Sequence, residues 1–531
     1  MKRLSLLLLS VLFQALAFAQ LTPIAESTMF QEDVSGYSRI LQLKNGSTLY
    51  MHLTLRTGID LNFYDQYHKL KVIKHLDPSF GILKGTCVNA IFEVDGNIVL
   101  MISEVDDRRP VLYRLIINGI TGELEREDKL GEAAKYLSRD LPFIPEYPSV
   151  SSFTVRRDPN GNNYALLIRK NNDDAAGRNQ IEAILYNNEH QEICRTYYDS
   201  PYRYGSLNFL DMAVVGEKLF ILGFAYNQIA ANDREGQLII ASMEKGAKKM
   251  KMEILNLSGD RLADSATVRY NPATKKLLLL GTAHVEDAER PYYKGFLVVI
   301  DPFTNQLEKE ISIYPEKANA MKKEIYGQKA SYTGMPQALS VHRDGSFTIL
   351  FEELTKISVN HIDAASYNYY LLDHIAIMNF DSTGKETNTS FIPKKQYIKS
   401  SELSNFYMAN RDLDAQKLNM GDQYKSFAFV EGKDSAYVLL NDPASNNEKL
   451  KTADISTLRG LSDCDAFSYA LDGKTGFPER RFVFGKSKKK NEHYLGLFNI
   501  SDYDKENNIY VTLKLTKQRD LKGASLVWLS L

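Results

Sequence analysis

Residues 151–199 read SSFTVRRDPNGNNYALLIRKNNDDAAGRNQIEAILYNNEHQEICRTYYD. Phe153 and Val155 alternate with Thr154 and Arg156, the chain turns at Asp158-Pro159-Asn160-Gly161, and Tyr164, Leu166 and Ile168 bring it back. An apolar–polar alternation broken by Asp, Pro, Asn and Gly marks two antiparallel strands and the turn between them. After a polar stretch, Ile181, Ala183 and Leu185 run into a second turn at Asn187-Asn188-Glu189-His190, and Ile193, Arg195 and Tyr197 return. The unit is four short antiparallel strands.

The unit recurs. First hairpins are predicted at 36–55, 88–104, 151–170, 207–226, 266–284, 337–354 and 426–442, and second hairpins at 61–77, 112–127, 181–199, 238–255, 297–313, 375–392 and 466–485. Turn chemistry repeats with them: Asn45-Gly46, Asp95-Gly96, Asn160-Gly161 and Asp344-Gly345 supply the positive φ that tight hairpins need. The unit starts are 52 to 89 residues apart, which fits propeller blades of about 40–50 residues lengthened by loops. Helical solenoids require a 3.6-residue period that these units lack. The predicted fold is therefore all-β, a β-propeller of seven or eight four-stranded blades. Strand count favours eight, because 493–500, 509–515 and 525–531 leave three further strands and 21–34 can add a fourth, closing the ring with both termini. Connectors at 129–141, 316–330 and 402–420 are expected to be short helices.

Composition fits one globular domain over 20–531, with 44% hydrophobic and 25% charged residues in a chain of 531. Formal net charge is −1, so no global field recruits nucleic acid or an anionic membrane. The cluster Lys486, Lys488, Lys489 and Lys490 reads as a solvated loop, since a polyanion footprint spreads over a face. Lys2 and Arg3, the apolar run Leu4 to Leu12 and Ala17-Phe18-Ala19 read as a signal peptide over 1–19. Export is expected, to the periplasm or beyond, with Gln20 standing where a lipid-anchored protein carries Cys. No later apolar run reaches the ~20 residues of a membrane-spanning helix. Cys87, Cys194 and Cys464 lack C-x-x-C spacing and read as buried small hydrophobes.

In a four-stranded blade, the turns inside hairpins fall on one end, while the loops between hairpins and the links between blades fall on the other. The second class is longer here, so binding residues are expected on that face. Its loops mix acids with arginine: Asp106-Asp107-Arg108-Arg109, Asp173-Asp174 with Arg178, Asp233-Arg234-Glu235, and Glu286-Asp287 with Arg290. Arginine suits carboxylate or phosphate recognition, although charged loops also serve only to keep a surface solvated. The most distinctive stretch, 355–374, holds His361, Asp363, Tyr367, Tyr369, Tyr370 and His374. Its aromatics suit stacking on sugars or peptide side chains. Residues 367–373 read equally as the start of a strand with alternate side chains packed. His361, Asp363 and His374 match no known ligand spacing, so neither a metal nor another cofactor is expected.

His-Glu-x-x-His, Gly-x-Ser-x-Gly and Cys-x-x-Cys are all absent, and Gly473-Lys474-Thr475 lacks the earlier glycine of a phosphate loop. With its leader, its repeated hairpin pairs and turns such as Asp158-Pro159-Asn160-Gly161-Asn162, the chain resembles secreted bacterial β-propeller proteins, and those turns look like NHL-type blades. The irregular blade lengths depart from the tight NHL repeat. The resemblance implies a propeller over the mature chain and carries over no functional residue. The leading expectation is a non-enzymatic propeller that binds a protein, peptide or glycan through its long-loop face. The competing one is a secreted hydrolase or lyase acting on polysaccharide or peptide with carboxylates at the central channel.

Overall fold

A computed structural model describes residues 21–531 except 33–35, 55–57, 82–85, 136–151, 171–178, 200–203, 205, 231–232, 258–262, 286–291, 360–366, 399–421, 434 and 519–520. The predicted leader and connector 402–420 lie outside the described residues. Eight antiparallel sheets form eight blades, at residues 37–76, 87–132, 153–199, 206–255, 263–313, 335–392, 428–482 and 492–530. Each starts within three residues of its predicted position. In every blade consecutive strands pair in order, the first lying at the axis and the fourth at the rim.

Ring closure follows the expected device. Thr22–Glu26 forms the outermost strand of blade 8, pairing antiparallel with Leu521–Ser530. The joint to blade 1 is apolar: Trp528, fully buried, packs edge-on to Tyr64 at 5.3 Å, and its Nε1 donates to Thr48 Oγ1 at 3.0 Å.

No blade buries both its faces alone, and the core is divided accordingly. Eight hydrophobic clusters fill the eight gaps between neighbouring blades, from Leu49, Leu61, Ile98 and Leu115 between blades 1 and 2 to Trp528, Leu513 and Ile40 between blades 8 and 1. At about 25 cal/mol per Å² of apolar area, this burial is the main force holding the ring together.

The inner strands expose one backbone edge to the axis, and side chains of adjoining blades cap it. Asp502 of blade 8 accepts from Gln42 N of blade 1 at 2.7 Å, and Glu93 of blade 2 from Lys44 N at 2.7 Å. Asn441 of blade 7 bonds both Gly496 N, at 2.8 Å, and Gly496 O, at 2.7 Å, in blade 8. Each pairing satisfies an edge group that burial would otherwise leave costly.

Of the predicted helices, the one after blade 5 forms as Glu316–Tyr326, with Ala318 and Met321 in the gap between blades 5 and 6. The one at 129–141 is corrected: Lys129 to Glu132 continues the outer strand Leu124–Glu132 of blade 2, where Lys129 pairs with Tyr113 across the ladder. Cross-strand bonding overrides local helix propensity there. Residues 136–141 lie outside the described ones.

Candidate functional site: the long-loop end of blades 6 and 7

Blade 6 departs most from the repeat. Its second and third strands, Phe347–Val359 and Tyr367–Phe380, have 13 and 14 residues. Their lower halves sit between Met335–Val341 and Glu386–Ile392 in the ordinary way. Their upper halves rise past the blade body, pairing with one another and with a short added strand, Gln396–Ile398. Leu354, Tyr370, Leu372 and Ile398 form a small core of their own in this extension.

Between the two halves the register slips: Glu352 faces Ile375 and Leu354 faces Leu372, so Glu353 meets Asp373 and His374 across a break in the ladder. Charge fills the break. Glu352 and Lys394 pair at 2.6 Å, both wholly buried, and Lys394 Nζ also donates to Leu372 O at 3.0 Å and Gln396 Oε1 at 2.9 Å. Glu353 accepts from Lys322 of the helix at 2.6 Å and from Thr333 N at 2.9 Å. His374 stacks on Tyr326 at 4.9 Å and accepts from Lys394 N at 3.3 Å. Burial, then the neighbouring Lys322, Lys395 and Lys394, push its imidazole pKa down to about 3, so His374 is neutral near pH 7. Asp373 is the opposite case: burial raises it to about 6, Glu353 adds to the rise, and the nearby lysines oppose it.

Blade 7 continues the pattern. Asp442, fully buried, holds Arg480 at 2.9 Å and Asn446 at 3.1 Å, yet burial outweighs the arginine and lifts it to about 6. Arg480 lies over the Phe467 ring at 3.5 Å. Lys425 pairs with Asp422 at 2.7 Å and reaches Arg459 O at 3.2 Å. The side chains that remain partly outside are Tyr369, packed on Tyr397 at 4.9 Å, and Arg459, whose guanidinium is 5.6 Å from the Tyr397 ring.

Carboxylates near the axis are similarly engaged. Asp211, on the inner strand of blade 4, takes four donors from its neighbours: Arg156 at 3.3 Å from blade 3, and Thr267 at 2.6 Å, Val268 N at 3.0 Å and Arg269 at 2.8 Å from blade 5. It sits below the usual carboxylate range, because those partners together outweigh its burial. Among the described residues no group of three His, Cys, Asp or Glu is placed to hold a metal ion. No helix among them is long and apolar enough to cross a membrane.

The residues singled out in the sequence are dispersed. Tyr367, Tyr369, Tyr370 and His374 share one strand and not a loop, with Tyr370 and His374 buried. His361, Asp363, Arg178 and Arg290 lie outside the described residues. Arg234 lies in a strand of blade 4, opposite Gln228, because the loop expected there shrinks to 231–232. Arg108 is in a two-residue turn with Asp107, φ 65° and 42°, between paired Asp106 and Arg109, and Arg109 bonds Glu132 at 3.0 Å. Both arginines are in blade 2, opposite blade 6 on the ring. Glu352, Glu353, Lys394, Asp442 and Arg480 were not foreseen. Their visible signal is an acid interrupting an apolar strand, as in Phe347-Thr-Ile-Leu-Phe-Glu352-Glu353.

No family model and no curated protein matches the chain. Solved structures do. A prolyl endopeptidase aligns with 91% of this chain and 55% of its own, at 11% identity and TM-score 0.40. An uncharacterized protein from Listeria monocytogenes aligns over 83% and 98%, at 11% and 0.35. Drosophila semaphorin 1a, extracellular domains 1–2, aligns over 78% and 86%, at 10% and 0.35. The chain spans about half the length of the prolyl endopeptidase. At these scores the likenesses carry no argument about activity, and the propeller stands on its own strand pairing.

Proposed function

We propose that the protein is an exported, non-enzymatic binding propeller that takes a protein, peptide or glycan partner on its long-loop face, at the raised extension of blade 6. One observation carries this reading: three acids at and beside the base of the extension are each held by a cation of the protein. Glu352 has Lys394, Glu353 has Lys322, and Asp442 has Arg480. Groups bound this way fix a platform and do not meet a substrate. What the platform offers outward is aromatic and cationic, the Tyr369–Tyr397 pair with Arg459, the surface chemistry enriched where few residues dominate binding. In this extension, the group that a polysaccharide or peptide hydrolase would build on is Asp373, whose carboxyl holds its proton up to about pH 6. Beside it, Glu353 receives Lys322 and Thr333 on one carboxylate oxygen, which fixes its position.

The test is capture by the purified protein from fractionated envelope glycans and proteins, compared with a Tyr369→Ala, Arg459→Ala variant. Capture should fall about tenfold or more in the variant with its melting temperature within a few degrees of the parent. Equal capture by both proteins sinks the assignment of this surface.

A further inference from the structure

Four deeply buried cations among the described residues have counter-charges. Arg114 has Asp128 at 2.6 Å, Lys394 has Glu352 at 2.6 Å, Lys425 has Asp422 at 2.7 Å and Arg480 has Asp442 at 2.9 Å. Arg169, which is only partly buried, differs. It ends the second strand of blade 3, Tyr164–Arg169, at the long-loop face. Its backbone is pinned, N to Ser152 O at 2.9 Å and O to Ala134 N at 3.2 Å. Its guanidinium meets no carboxylate among the described residues. Its partial burial lowers its pKa.

The surroundings of Arg169 are polar and also unanswered. Arg169 faces Ile181 and Ile181 faces Tyr198 across the blade, which puts the three side chains in one row on one face of the sheet. Ile181 and Tyr198 belong to the cluster between blades 3 and 4, so that row looks into this cleft. Tyr198 is wholly buried and its hydroxyl has no hydrogen-bond partner among the described residues. Opposite it stands Gly223 of blade 4, where a Cβ would lie 3.6 Å from that hydroxyl and 2.8 Å from Leu207 Cδ1. Gln237 of the same blade, two residues above Ile239 of the same cluster, has its Oε1 buried without a donor among the described residues. An unpartnered phenol and an unpartnered amide oxygen are each costly to bury, and the partly buried guanidinium stands in the same cleft without a counter-ion among the described residues. Together they make a complementary set.

We infer that the cleft between blades 3 and 4 binds a carboxylate that carries an N–H or O–H on the adjoining atom, with Arg169 and Tyr198 as donors to the carboxylate and Gln237 Oε1 as acceptor. One planar guanidinium matches one carboxylate in two parallel hydrogen bonds. The single positive charge suits a monoanion better than a phosphate dianion. A peptide C-terminus and a uronic acid both have this chemistry. The site is separate from the Tyr369 platform, and the two readings fail independently.

The experiment is thermal melting of the full chain at constant ionic strength, with N-acetylglycine, glucuronate, N-acetylglycinamide and inorganic phosphate as probes. At least one of the two carboxylates should raise the melting temperature with concentration, and which one does separates the peptide source from the sugar. The amide should not. Arg169→Met should weaken the apparent affinity at least tenfold without lowering the ligand-free melting temperature, and Tyr198→Phe should weaken it several-fold. Silence with both carboxylates overturns the site, as does an undiminished response in Arg169→Met or a shift as large with phosphate. Failure of Arg169→Met to fold counts against it too, since Arg169 would then be structural. Tyr198→Phe and Arg169→Lys provide the affinity comparison in that event, and responses equal to the parent in both reject the assignment.

Discussion

Blade 6 and the cleft between blades 3 and 4 treat buried charge in opposite ways. Under the blade 6 extension, Lys394 and Glu352 are both wholly removed from water and joined at 2.6 Å, with further bonds to Leu372 O and Gln396. At blades 3 and 4, Arg169 is partly buried with no counter-ion among the described residues. A neutralised pair defines geometry, because breaking it strands a charge. An unneutralised cation defines a vacancy in the chemistry that a ligand can fill.

The largest test of that contrast is Lys394→Met, which leaves Glu352 buried without its cation. Chemical denaturation should report a loss of about 3–5 kcal/mol. A loss below about 1 kcal/mol would mean that the extension does not depend on the pair, and the contrast with Arg169→Met would disappear.

Next in size is a pH effect at the same break. The folded pKa of Asp373 is about 6, against about 4 for an aspartate in an unfolded chain. The native state therefore holds more protons than the unfolded state in that interval. The associated stability is fully present below about pH 4 and is lost as pH rises through 6. Asp373→Asn should flatten the change in melting temperature between pH 4 and 6 relative to the parent. Parallel curves for the two proteins would show that Asp373 titrates normally and that the break is open to water.

The smallest effect is expected in the Asp107-Arg108 turn of blade 2, where both side chains are exposed. Asp107 and Arg108 both take positive φ in their two-residue turn. Arg108→Gly should stabilise by roughly 0.5–1 kcal/mol, read as a rise of about a degree in melting temperature. A drop would mean that the Arg108 side chain contributes more than its backbone strain costs.

The architecture was legible because its signals are local. Two-residue alternation and the turns at Asn45-Gly46, Asp95-Gly96 and Asp344-Gly345 mark the hairpins wherever they fall. The closing strand could be inferred from a count that left one blade short. The site was less legible, for a physical reason. Loop arginines such as Arg108 and Arg234 drew notice by composition, yet they stand in a tight turn and a strand. Tyr370 looked like a candidate contact and is packed against Leu372 and Ile398. Arg169, at the end of an ordinary strand, has no local peculiarity at all. What distinguishes it is the absence of an acid across an inter-blade gap, which only the assembled ring defines.

The strand Thr22–Glu26 has a further consequence. Its side chains are mostly exposed, and it joins residues some 500 positions apart, so it contributes to the ring mainly through ladder bonds and arrives at a high entropic cost. Peeling it away would leave the core between blades 8 and 1 shut by Trp528 while baring the hydrogen-bonding edge of Leu521–Ser530. A released clasp of this kind would leave a pairing edge that only a strand of matching register could cover.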